Sequence, residues 1–126
     1  MVLGSDGADE LYGGGGNDSI TGGQRTDTLT GDSGADTFIF NDASDSAVGD
    51  ADEITDFQSG TDLIDLSAID ADTTMPGDQA FTIGGSGASA LWLVGGSVFG
   101  DVDGEGVADF EIKVELSLLQ ADDIVL

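Results

Sequence analysis

A nine-residue period beginning at Gly4 constrains this chain more than any other feature of its sequence. The units read Gly4-Ser5-Asp6-Gly7-Ala8-Asp9-Glu10-Leu11-Tyr12, then Gly13-Gly14-Gly15-Gly16-Asn17-Asp18-Ser19-Ile20-Thr21. Two more follow without a break: Gly22-Gly23-Gln24-Arg25-Thr26-Asp27-Thr28-Leu29-Thr30 and Gly31-Asp32-Ser33-Gly34-Ala35-Asp36-Thr37-Phe38-Ile39. Gly holds the first position and Asp the sixth in all four units, and the eighth is Leu, Ile, Leu, Phe. Glycines at the first, second and fourth positions let the backbone enter φ > 0 and turn its carbonyls towards one point. The Asp closes that turn with a carboxylate. The last three positions make a strand too short to stand alone, so the units must stack as a coil. Stacking pairs them edge to edge and collects Leu11, Ile20, Leu29 and Phe38 into a narrow core. It also gathers the Asp side chains, which repel one another unless a cation lies between them.

Charge makes the same demand on the whole chain. Twenty-six acidic side chains face only 2 basic ones, a formal charge of −24 on 126 residues, and repulsion on that scale expands a chain. Of the acids 21 are Asp, the short carboxylate that suits oxygen-lined calcium loops. With no His and no Cys, zinc motifs, Cys–His pairs and Ser–His–Asp triads are excluded. Arg25 and Lys113 are the only basic residues, so neither nucleic acid nor an anionic membrane surface is an expected partner. No apolar run approaches the roughly 18 residues of a spanning helix, so membrane insertion is not expected either. Carboxylates are numerous enough to pair as in a glycosidase, but such a pair needs a cleft lined by aromatics. The only Trp and Tyr are Trp92 and Tyr12, and Trp92 lies in the apolar run Leu91-Trp92-Leu93-Val94, where core packing is expected. A non-catalytic module is the expectation.

The four units resemble the nonapeptide G-G-x-G-x-D-x-U-x of the RTX (haemolysin-type calcium-binding) family. The resemblance implies a parallel β-roll, two units to a turn, with calcium held between loops one turn apart. Carried over by position, one ion takes Ser5, Gly7 and Asp9 together with Gly22, Gln24 and Asp27. A second takes Gly14, Gly16 and Asp18 with Gly31, Ser33 and Asp36. Carboxylates and backbone carbonyls suit calcium better than magnesium or zinc. Arg25 replaces the third unit's fourth-position glycine, and Ser5 and Asp32 replace a second-position glycine, so the ion of the second and fourth units is expected to be the better formed.

After Phe40 the strict period stops. Residues 41–52 read as a polar loop, with Asp45 and Asp52 as secondary calcium candidates. Short strands joined by a Ser-Gly turn are expected over 52–67, with one helical turn at Leu66–Ile69. Beyond the Pro76-Gly77 turn the strand candidates are Ala80–Ile83, Ala90–Val94, Phe110–Glu115 and Asp123–Leu126, which makes the chain all-β. The segments 52–67, 108–112 and 121–124 resemble the C-terminal domain of serralysin-type metalloproteases. That resemblance implies a β-roll over residues 1–40 continuing into a β-sandwich-like part over 41–126, as one module. The protease itself is absent, since its zinc motif needs histidines.

Separately, Asp101-Val102-Asp103-Gly104-Glu105-Gly106-Val107-Ala108-Asp109 has acids at positions one, three, five and nine and Gly at six, most of an EF-hand loop. Position twelve is Ile112 instead of the bidentate Glu. Metal binding through Asp101, Asp103, Glu105 and Asp109, and a metal-free acidic turn, both account for these residues. The tail Asp123-Ile124-Val125-Leu126 resembles the terminal motif of RTX proteases exported by type I secretion, and it also reads as a final edge strand. Together the resemblances imply a secreted, extracellular bacterial module of a larger protein. It would fold on calcium after export, with the type I transporter as a partner of its tail. The rival expectation is binding to extracellular polysaccharide, because related repeats occur in mannuronan epimerases and adhesins.

Overall fold

In a computed structural model, which describes residues 1–77, 79–84, 87–114 and 119–126, the repeats alternate between two sheets. They build strands β1 (Val2–Leu3), β2 (Glu10–Gly15), β3 (Ser19–Thr21), β4 (Thr28–Ser33) and β5 (Thr37–Ile39). Odd-numbered strands pair in one sheet and even-numbered strands in the other, all of them parallel. Val2 lies opposite Ile20, Ser19 opposite Thr37 and Glu10 opposite Thr28. One turn of the coil is therefore 18 residues, two nonapeptides, and each nonapeptide carries the chain from one sheet to the other.

The coil continues where the period ends. Strands β6 (Asp52–Ile54) and β7 (Leu63–Asp65) extend the two ladders, with Ile54 opposite Leu29 and Ile64 opposite Phe38. The step lengthens to 25 residues on one edge and 26 on the other. Part of the added length is a 3-10 turn at Ala43–Ser46, whose first N–H groups are capped by the Asp42 side chain. Both sheets thus run across residue 40. The Ser59-Gly60 turn connects β6 and β7, which lie in opposite sheets.

Five further strands complete the fold: β8 (Thr82–Ile83), β9 (Ala90–Val94), β10 (Ser97–Asp101), β11 (Phe110–Val114) and β12 (Ile124–Val125). The five-stranded sheet has the order β1-β3-β5-β7-β12 and is parallel throughout. The seven-stranded sheet runs β2-β4-β6-β11-β10-β9-β8 and turns antiparallel only at β11-β10-β9. The result is the all-β class expected from the sequence, a parallel roll leading into a sandwich. Leu66–Ile69, expected as a helical turn, is instead a hydrogen-bonded turn outside any helix, closed by the Ile69 N–H on the Leu66 carbonyl at 3.0 Å. The end of the Phe110–Glu115 expectation, Glu115, lies outside the described residues.

Strand β10 is the longest element that sequence reading missed, beside β1 and the short 3-10 turn at Ala43–Ser46. It follows Gly95 and Gly96, both at positive φ, and contains Gly100, so it lacks a clear strand signature. Packing explains that glycine: a Cβ on Gly100 would run into the Phe110 ring. Between the sheets Ile20, Leu29, Phe38, Ile54 and Ile64 are wholly buried, and Leu66, Leu91, Val98, Phe110 and Ile112 prolong the column. Each contributes about 1.5–3 kcal/mol from burial. Leu11 and Val2 are only partly covered, because they belong to the first turn and have a neighbour on one side. Trp92 departs from the expectation of a core residue. Leu91 and Leu93 point inwards, so alternation turns Trp92 to the other face of β9, half-buried and opposite Phe99.

Candidate metal centre

The sixth-position acids form two columns, one along each edge of the coil. On the first edge the Asp9 N–H donates to Asp27 Oδ1 at 2.7 Å and the Asp27 N–H to Asp52 Oδ1 at 2.8 Å. On the second the Asp18 N–H donates to Asp36 Oδ1 at 2.8 Å and the Asp36 N–H to Asp62 Oδ1 at 3.0 Å. Asp52 and Asp62 therefore hold the sixth position of the continuing coil. Sequence reading did not find Asp62. The signal was present in Asp52-Glu53-Ile54 and Asp62-Leu63-Ile64, which keep the Asp-x-apolar spacing of the repeats although the nine-residue frame is lost.

The second oxygens differ sharply along each column. Oδ2 of Asp18, Asp27, Asp36 and Asp52 is buried and has no hydrogen-bond partner among the described residues. At the start of the first column and the end of the second the partner exists: Asp9 Oδ2 accepts from the Ser5 N–H at 2.7 Å, and Asp62 Oδ2 from the Gln58 N–H at 2.9 Å. A buried carboxylate oxygen facing nothing is costly unless a proton or a cation meets it. Burial pushes Asp52 up to about 8, reinforced by the charges of Asp27 and Asp45 against the opposing Asp27 N–H. Asp27 is raised by burial and by Asp9 and Asp45, and Asp36 by burial and by Asp62, Asp18 and Asp56.

The space around these oxygens depends on glycine. A Cβ on Gly22 would stand 2.5 Å from Asp27 Oδ2, one on Gly13 would stand 3.1 Å from Asp18 Oδ2, and one on Gly31 would collide with Asp36 Oδ2. Turn-to-turn hydrogen bonds set the loops: the Gly16 N–H donates to the Ser33 carbonyl at 2.8 Å and the Gly7 N–H to the Gln24 carbonyl at 3.4 Å. Gly14 pairs with Asp32 in the β2–β4 ladder, and the Gly31 and Asp32 N–H groups donate to Asp56 at 2.9 and 2.7 Å. The donor set is carboxylate and carbonyl oxygen throughout, which fits a hard divalent cation of calcium's size.

Asp45 is buried beside the first column, and its Oδ2 accepts from the Asn41 and Asp42 N–H groups at 2.9 and 3.1 Å. Asp52 is anchored from behind: its N–H donates to Ser46 Oγ at 2.8 Å, and that hydroxyl donates to the Glu111 carbonyl. The β10–β11 connection gathers the carboxylates of Asp101, Asp103 and Asp109 within 4.8 Å of one another, close enough to hold a cation. Glu105 lies outside that group and gives its N–H to Asp103 at 3.0 Å. Here the acids already have backbone partners. Asp101, wholly buried, accepts from the N–H groups of Asp103, Gly104 and Gly106, and Asp109 from that of Val102.

A parallel coil with an apolar column inside, glycine-lined edges and two ladders of half-satisfied Asp carboxylates is an RTX-type β-roll module. The chain belongs to the peptidase M10 serralysin C-terminal family, which it matches over residues 8–126. It is 43% identical over 76 residues to metallopeptidase AprA of Pseudomonas marginalis, a stretch covering 57% of this chain and 16% of that protein. Two solved structures share its fold, both subunits of the Azotobacter vinelandii mannuronan C5-epimerase. The AlgE6R3 subunit is 36% identical with a TM-score of 0.68, covering 98% of this chain and 70% of that one. The AlgE6R2 subunit is 29% identical with a TM-score of 0.70, covering 98% and 80%.

Proposed function

We propose that this chain is a non-catalytic calcium-binding module of a larger secreted protein, folded by the ions it binds. One observation carries the reading: four buried Asp oxygens without a partner among the described residues, aligned along the two edges of the coil. On the first edge Asp9 and Asp27 serve with the loop atoms of Ser5, Gly7, Gly22 and Gln24, and Asp45 and Asp52 extend that edge by one step. On the second edge Asp18 and Asp36 serve with Gly14, Gly16, Gly31 and Ser33. The loop of Asp101, Asp103, Glu105 and Asp109 is a separate candidate. A bound cation supplies the positive charge that the chain lacks. The residues supply oxygens, exclude water and hold the loops at one turn's spacing. Residues 1–40 carry the repeats of the roll, and 41–126, which first continue its coil, form the C-terminal part of one module. Titration calorimetry with calcium should show saturable uptake at millimolar concentration or below, with protons released from the raised acids. No heat and no proton release at millimolar calcium would remove the reading.

Export by a type I transporter through the C-terminal tail belongs to the same proposal. A strongly negative chain stays extended where calcium is scarce and can thread a channel. Deleting residues 123–126 should abolish export of a fused passenger, whereas normal export would place the signal elsewhere. The likeness to two epimerase subunits supports a second reading, binding to an extracellular polysaccharide. Chemical-shift changes on adding alginate in calcium would favour it, and unchanged spectra would count against it.

A further inference from the structure

The tail closes the five-stranded sheet through two ladder pairs, Ile124 opposite Ile64 and Val125 opposite Asp65, and through burial of Ile124. Those contacts are enough to dock a strand. Asp123 adds something of another kind. It is 3% exposed, and its carboxylate reaches across to the loop between β6 and β7. Oδ2 accepts from the Ser59 hydroxyl at 2.6 Å and from the Gln120 N–H at 2.9 Å, while Oδ1 accepts from the Gly60 N–H at 2.9 Å. Burial alone would raise this acid, yet the three hydrogen bonds hold it below the ordinary aspartate range.

The loop it grips ends at the last acid of the second column. The Thr61 and Asp62 N–H groups donate to the Gln58 carbonyl at 3.0 and 2.8 Å, and the Gln58 N–H returns to Asp62 Oδ2. That closed turn aims Asp62 Oδ1 at the Asp36 N–H. At its start Asp56 takes the Gly31 and Asp32 N–H groups. The loop is thus fastened on one side to the fourth repeat, where Asp36 Oδ2 lies buried without a partner, and on the other side to the tail.

We infer that Asp123 is a positioning residue for the cation edge at Asp36, acting through Ser59, Gly60 and the turn that presents Asp62. This rests on the calcium reading above. The first half of the loop over residues 55–62 is held independently, by the Thr55 N–H on the Leu29 carbonyl at 2.9 Å, by Asp56 and by buried Phe57. At Ser59 and Gly60 the side-chain hydrogen bonds among the described residues are those to Asp123, and releasing them restores backbone freedom that cation binding must then remove. Coupling of this kind is reciprocal: a cation that orders the loop also docks the tail, and freeing the tail weakens the cation by the same factor. If Asp123 served only the strand, its loss would disturb residues 120–126 and nothing beyond.

Amide hydrogen exchange on the full chain at saturating calcium separates the two, with calorimetry on the same samples. In Asp123→Ala the amides of Gly31, Asp32 and Asp36 should lose about tenfold of their protection, while Asp9 and Asp27 on the other edge keep theirs. Asp123→Asn, which keeps the shape and part of the acceptor capacity, should fall between. Ile124→Ala, which loosens the strand and spares the carboxylate, should leave Gly31 and Asp32 protected. In the reverse direction, Asp36→Asn should expose the Leu66 amide, which donates to the Val125 carbonyl at 2.9 Å. Loss of protection confined to 120–126 in Asp123→Ala, or equal loss along both edges, overturns the inference. A wild-type chain that takes up no calcium overturns the reading beneath it.

Discussion

Asp36 shows in one side chain what a repeat acid must do. One oxygen ties its turn to the previous one through the Asp18 N–H, and the other is buried facing no donor. The same division occurs at Asp27 and Asp52, and Asp18, with no preceding turn on its edge, shares the buried unpartnered Oδ2, whereas Asp9 and Asp62 find a backbone N–H within their own loops. Removing one such carboxylate should therefore matter far more than removing an exposed charge. Asp36→Ala is expected to cost about 1.5–3 kcal/mol of calcium-dependent stability, a tenfold or larger rise in the calcium needed to fold. Asp50→Ala, exposed and without a side-chain hydrogen bond among the described residues, is the matched loss of one charge and should change little. Calcium titrations followed by circular dichroism check the pair. Coincident midpoints would mean that the orphaned oxygens do not meet the ion.

The elements show where a sequence pattern stops being readable. Leu11, Ile20, Leu29 and Phe38 could be placed on one column because each loop between them has the same length, so the period survives. Ile54 and Ile64 occupy the next two places in that column, yet their steps of 25 and 26 residues break any fixed frame. Asp62 was missed for that reason, and β10 because its glycine answers to the Phe110 ring and not to strand propensity. Trp92 was misplaced because a run of four apolar residues hides the alternation that turns it outwards. The EF-hand-like spacing at 101–109 did identify three acids that meet, though not that backbone N–H groups already occupy them. At this scale Phe38, wholly buried and tilted against Phe57 at 6.2 Å between ring centroids, is the test. Phe38→Ala should cost about 3–5 kcal/mol in denaturant unfolding at saturating calcium, while the number of ions bound stays the same. A drop in ion number would mean that core and edges are not separable.

For the whole molecule the balance is between one large repulsion and a small number of cation sites. A charge of −24 opposes compaction, and the buried acids add to that opposition whenever they ionise without a counterion. The pH dependence follows from the direction of the shifts. Asp52 binds its proton up to about 8 in the folded state, against about 4 when unfolded, and Asp27 and Asp36 are raised too. The folded chain then holds more protons than the unfolded one across that window, so metal-free stability falls as pH rises from about 4 to about 8. Calcium takes the place of the proton and should flatten the dependence. Circular dichroism in chelator, titrated from pH 8 down to pH 5, checks this by a gain of β signal on acidification, and Asp52→Asn should remove part of that gain. An unchanged β signal across that range would contradict it.

The most direct test of folding by cation is the size of the chain in solution at pH 8. Small-angle scattering in millimolar calcium should give a radius of gyration of about 14 Å, the value for a compact domain of this length. In chelator, or in magnesium at the same ionic strength, it should rise towards about 36 Å, the value for an unfolded chain. A radius that stays near the compact value in chelator would show that the coil holds its buried carboxylates without an ion, which contradicts folding by cation.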